Sequence, residues 1–72
     1  MKYLVHYMAR SGDVNDAEVD VRTTTNEHGA TVFYATNLRL WGCGKNATTP
    51  EGAIRILIQD MATVLQIDKM PD

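Results

Sequence analysis

Thr49-Pro50-Glu51-Gly52-Ala53-Ile54-Arg55-Ile56-Leu57-Ile58-Gln59-Asp60-Met61-Ala62-Thr63-Val64-Leu65-Gln66 is the stretch on which the fold turns. Thr49 is placed to act as an N-cap, its hydroxyl accepting from an otherwise unpaired amide of the first turn. Pro50 then falls at the first helical position, where a missing N–H costs nothing. Glu51 sets a carboxylate at the positive end of the helix dipole. Gly52 stands where a capping box would carry Glu or Gln. Apolar residues follow at Ala53, Ile54, Leu57, Ile58, Met61, Ala62, Val64 and Leu65. At about 100° per residue they share one broad face, which predicts a helix packed on a sheet and running to about Gln66. Arg55, Gln59, Thr63 and Gln66 take the other face. Ile56 also falls on that polar side, either as an ordinary exposed aliphatic or, with Ile67, as part of a subunit or partner contact. Residues 68–72 read as a tail, with Pro71 barring any further helix.

Working outward, the preceding chain reads as strands. Residues 3–9 alternate Tyr3, Val5 and Tyr7 with Leu4, His6 and Met8, so both faces are semi-apolar, as in a central strand or one at an interface. Residues 11–16 are rich in turn formers. Residues 17–24 alternate cleanly: Ala17, Val19, Val21 and Thr23 against Glu18, Asp20, Arg22 and Thr24, the pattern of an antiparallel sheet with one wet face. Residues 26–29 form a hairpin connection, with Gly29 suited to a positive φ. Residues 30–36 make a third strand. Around Trp41-Gly42-Cys43-Gly44, two glycines beside a cysteine indicate a bend or a close backbone approach, with a short fourth strand within residues 41–47. The expected architecture is α+β: a three- to four-stranded antiparallel sheet with one C-terminal helix packed on one face.

Seventy-two residues make a single domain, residues 1–72, and 44% hydrophobic content predicts a real if small core. At that size burial is often completed by a dimer or a bound partner. A net charge of −2 opposes any nucleic-acid binder that relies on a broad basic surface. One cysteine, Cys43, cannot form an internal disulfide, which fits a reducing cytoplasm. No signal peptide and no apolar run of membrane-spanning length is present in the sequence.

Candidate chemistry is sparse. His6, His28, Cys43 and Asp20 match no metal-ligand spacing, so neither a metal site nor a cofactor is expected. Cys43 beside glycines reads as a small buried hydrophobe rather than a nucleophile. Glu18 and Asp20, two apart, read as the wet face of a strand rather than an acid–base pair. Gly42-Cys43-Gly44-Lys45 ahead of a helix lacks the Gly-Lys-Ser/Thr run of a phosphate loop. Trp41 is either an exposed binding anchor or, the preferred reading, the lid of a small core.

Phe33-Tyr34-Ala35-Thr36, then Leu40, the Gly42-Cys43 step, and Thr49-Pro50-Glu51 followed by Ala53 form an ordered series. This series resembles the HicB-like antitoxin domain, and with the hairpin before it the resemblance covers about residues 17–65. Trp41 departs from it where proline is usual before Gly-Cys, Gly52 replaces a second acid, and residues 3–9 stand as an N-terminal addition. The chain ends soon after the predicted helix, leaving no room for the DNA-binding segment of many such antitoxins, so operon autorepression is not expected. The resemblance implies a non-catalytic, truncated ribonuclease-H-like fold that masks a small basic RNA-cleaving toxin and associates with itself. Tyr3, Tyr7, Trp41, Ile56 and Ile67 are the residues expected at a partner or dimer interface.

Size and mild acidity fit a second class: a phage- or mobile-element-encoded inhibitor of a host defence complex, of the anti-CRISPR kind, occluding a basic groove. A third class is a nucleic-acid-binding sheet with Tyr3, Tyr7, Phe33 or Tyr34 as stacking platforms, which the net acidity opposes.

Overall fold

The computed structural model describes residues 1–71. Its elements are β1 (Lys2–Ala9), β2 (Val14–Thr25), β3 (Thr31–Asn37), β4 (Gly42–Cys43), α1 (Pro50–Ile58), a 3-10 turn (Gln59–Met61) and β5 (Ala62–Lys69). The strands form one antiparallel sheet in the order β4-β3-β2-β1-β5, with α1 across one face. The chain is thus α+β with an antiparallel sheet and one helix, although the sheet has five strands and a strand follows the helix.

Three connections build the meander. Between β1 and β2, Gly12 takes a φ of +94° and its N–H donates to the Ala9 carbonyl at 2.9 Å, a left-handed position that favours glycine. The expected loop over residues 11–16 is therefore shorter, because Val14, Asn15 and Asp16 already pair with Met8, Tyr7 and His6. Between β2 and β3, the Asn26 side-chain oxygen accepts from the His28 and Ala30 amides at 2.9 and 3.0 Å. These side-chain bonds reinforce the backbone turn, in which the Gly29 amide donates to the Asn26 carbonyl at 3.0 Å. Between β3 and β4, Asn37 plays the same part: Oδ1 accepts from the Leu40 amide at 3.1 Å, while Nδ2 donates to the Glu18 carbonyl at 2.9 Å. The fourth strand is only Gly42–Cys43, and Ala47 adds one isolated bridge to Phe33.

The helix begins as the sequence predicts. Thr49 is extended, and its Oγ1 accepts from the Gly52 amide at 3.0 Å. A Cβ at residue 52 would lie 2.8 Å from that oxygen, so a side chain there would displace the cap. Ala53, Ile54, Leu57 and Ile58 are buried against Tyr3, Val5, Val19, Val21 and Ala35. Ile54, Ile58, Val5, Val19 and Val21 are almost wholly out of water. Each such side chain contributes about 1.5–3 kcal/mol of transfer free energy. The loop after β4 comes down on the helix at Gly44, where an added Cβ would meet the Leu57 backbone at 3.1 Å.

The helix is shorter than its periodicity predicts. It ends at Ile58, where the Gln59 N–H closes back onto the Arg55 carbonyl and Gln59 takes a φ of +42°. Residues 62–69, expected as helix and tail, instead form β5 beside β1, in register from Ala62 opposite Ala9 to Lys69 opposite Tyr3. Met70 continues this edge, its N–H donating to the Lys2 carbonyl at 2.9 Å. Asp72, the last residue of the expected tail, lies outside the described residues. The physical reason is the free edge of β1, whose backbone groups need partners. Thr63, Val64 and Ile67 are β-branched and suit a pleated surface. The register shifts between His6 and Tyr7, leaving Leu65 as the extra residue of a bulge. No helix is long and apolar enough to cross a membrane among the described residues.

Candidate functional site

Alternation along the strands sorts the side chains onto two faces. Tyr3, Val5, Val19, Val21 and Ala35 meet α1. Lys2, Leu4, His6, Asp16, Glu18, Asp20, Arg22, Tyr34 and Asp68 take the opposite side, by cross-strand register and the strand period of two. Among the described residues no element lies over that second face, and it is the candidate site. Here Asp16, Glu18, Asp20 and Asp68 stand against Lys2, Arg22, His6 and the N-terminal ammonium, which lies 3.8 Å from Asp20, so the two signs are interleaved across the face.

At the middle of β1, His6 links three strands. Its Nδ1 faces Asp16 Oδ1 on β2, and its Nε2 lies 3.0 Å from Asp68 Oδ2 on β5. Gln66 donates to both oxygens of Asp68, at 2.9 and 3.0 Å. The bonds to Asp68 and then Asp16 raise the His6 pKa above its ordinary 6.5, with partial burial opposing them. Gln66, and after it His6, hold the Asp68 carboxyl below its ordinary range. Towards the other end of β2, Arg22 Nε donates to Asp20 at 2.9 Å and holds that carboxyl low.

The β3–β4 loop walls this face on one side. It closes a shallow groove of about 680 Å³, lined by Lys2, Asp16, Glu18, Asp20, Leu38 and Leu40 among others. Leu38 is 83% exposed and Leu40 52%. Asn37 ties the backbone that carries them to itself and to β2. This pair was missed in the sequence. The signal for it was two leucines flanking Arg39 in a turn, where polar residues are usual.

The residues expected at an interface sit elsewhere. Tyr3 is buried at 5% exposure, within the core of the single chain. Tyr7 and Trp41 meet edge to face, ring centroids 5.0 Å apart, and both pack half-buried against that core. Ile67 does the same from β5, while Ile56 is half-buried outside the cluster. The structure therefore brings together Tyr3, Tyr7, Trp41 and Ile67, but on the covered side. Phe33 also packs against the core, so Tyr34 is the one proposed stacking residue on the open face. Cys43, expected as a small buried hydrophobe, is exposed on the two-residue edge strand, its thiol 3.6 Å from the Gly44 carbonyl. So short an edge has no layer above it to bury the thiol. Among the described residues no group of three His, Cys, Asp or Glu side chains could hold a metal ion.

Fold and face together define a one-helix α+β domain with an uncovered, polar sheet surface. Compared with protein-family models, with curated proteins and with solved structures, the chain matches none.

Proposed function

We propose that the chain is a non-catalytic, protein-binding inhibitor similar to a HicB-type antitoxin, acting in the cytoplasm by masking a small basic RNA-cleaving toxin. The observation that supports this reading best is the pair Leu38 and Leu40, exposed on a backbone pinned by Asn37 beside an uncovered sheet face. Large apolar side chains carried on a hydrogen-bonded backbone at the rim of a polar groove leave less backbone entropy to lose on docking, which favours affinity. The carboxylates of the groove, with Glu18 making no ion pair among the described residues, complement a basic partner and speed its approach. A homodimer belongs to the same proposal.

A second reading is an inhibitor of a host defence complex. It is favoured by Asp16, Glu18 and Asp20 at alternate positions of one extended strand, a carboxylate row repeating every ~7 Å. Such a row can occupy a basic nucleic-acid groove.

The test is affinity capture from the encoding host with the wild-type chain and with a Leu38→Ser, Leu40→Ser variant, followed by assay of the captured protein. A small ribonuclease captured by the wild type, inhibited by it, and released by the variant supports the antitoxin reading. A nucleoprotein complex captured and inhibited in that way moves the assignment to the second reading. Light scattering that finds only monomer at high concentration removes the homodimer.

A further inference from the structure

We propose that His6 is a pH-sensitive clasp that fastens β5 to the rest of the sheet, holding it when protonated and loosening it when neutral. The inference stands independently of the inhibitor reading above.

Both ring nitrogens of His6 face carboxylate oxygens, Nδ1 to Asp16 and Nε2 to Asp68 at 3.0 Å. Ionised carboxylates only accept hydrogen bonds. A neutral imidazole has one donor, so it can satisfy one of these two partners and sets a lone pair against the other. Only the imidazolium donates to both. The geometry is therefore that of the charged ring, bridging β2, β1 and β5. Next to His6 on this face β1 presents the neutral Leu4 and Met8 and β2 adds Glu18 beside Asp16, while β5 contributes the neutral Gln66 beside Asp68. The charges of Asp16 and Asp68 add to the field that keeps the proton, and desolvation opposes it.

Loss of the proton acts on β5 rather than β2 for two reasons. β2 is tied to β1 by a short hairpin closed by the bond from the Ala9 amide to the Asp13 carbonyl at 2.8 Å. β5 arrives by way of the helix, lies at the edge of the sheet, and pairs through a bulge that falls directly beside His6. Edge segments with interrupted ladders are where local opening begins.

The sign follows from the direction of the His6 shift. Its folded-state value lies above the ordinary 6.5. The clasp is fully engaged below that ordinary value and is released as pH rises through the folded-state one.

The test is amide hydrogen exchange by NMR on the full chain, from about pH 6 to about pH 9, read as protection factors. In the wild type the β5 amides should lose protection as pH rises, by at most about tenfold per pH unit, the limit for one proton. The amides of the β2–β3 pairing should hold theirs. His6→Gln should give β5 a low protection that no longer varies with pH in this window. Asp68→Asn, which keeps the shape but removes the charge, should lower β5 protection at the acidic end and flatten the profile. Protection of β5 that stays constant in the wild type overturns the proposal. So does a pH dependence that persists unchanged in His6→Gln.

Discussion

The two faces of the sheet are made by the same strands, one residue out of step. On one face Val5, Val19 and Val21 are closed under Ile54 and Ile58. On the other, Leu4, His6, Glu18 and Asp20 are half-buried or exposed, with no helix above them among the described residues. The covered face holds the chain together by burial, which is large and, among the described residues, involves no charged side chain. The open face is held by exposed ion pairs and a protonated histidine, each worth little to stability. What the open face has in return is freedom: its residues can be spent on a partner without unfolding the domain.

That contrast can be broken most forcefully at Ile54. Ile54→Ala removes a side chain with no exposure at the centre of the helix–sheet contact and should cost about 2–5 kcal/mol in urea denaturation. Gly44→Ala comes next. Its Cβ would lie 3.1–3.2 Å from Leu57 atoms, two of them backbone, and the strain should cost about 1–3 kcal/mol by the same measurement. Thr49→Ala removes the cap bond to the Gly52 amide and should cost about 1 kcal/mol, with helical circular dichroism reporting the fraying. The smallest stability effect belongs to the open side. Leu38→Ser, at an 83% exposed position, should stay within about 0.5 kcal/mol of the parent while weakening partner capture. If Leu38→Ser instead unfolds the chain, the division of labour between the faces is wrong.

In the sequence, a first strand apolar on both faces and the spare apolar residues Ile56 and Ile67 make aromatic and aliphatic side chains the interface candidates. Tyr3 lies in the core of the chain, and Tyr7, Trp41 and Ile67 pack half-buried against it. Their alternation along the strand is visible in the sequence, but which parity faces the helix is not, because residues 3–9 are apolar on both sides. Burial of the odd set is decided by β2, whose clean alternation pairs Tyr3 with Val19 and Val5 with Ala17. The His6 bridge was illegible for a different reason. Asp16 lies ten residues away and Asp68 sixty-two, and only the meeting of β2 and β5 on either side of β1 assembles them.

By itself the sequence determined the parts with local causes. The period of two in residues 17–24, the turn asparagine and glycine at Asn26 and Gly29, and the Thr49-Pro50 helix start each carry their physical reason within a few residues. Only the tertiary structure decided where the helix ends. Met61, Ala62, Val64 and Leu65 satisfy a helical stripe as well as they satisfy a strand, since short apolar runs fit both periods. The choice went to the strand because β1 presents an edge of unpaired backbone groups, and pairing along residues 62–69 satisfies them.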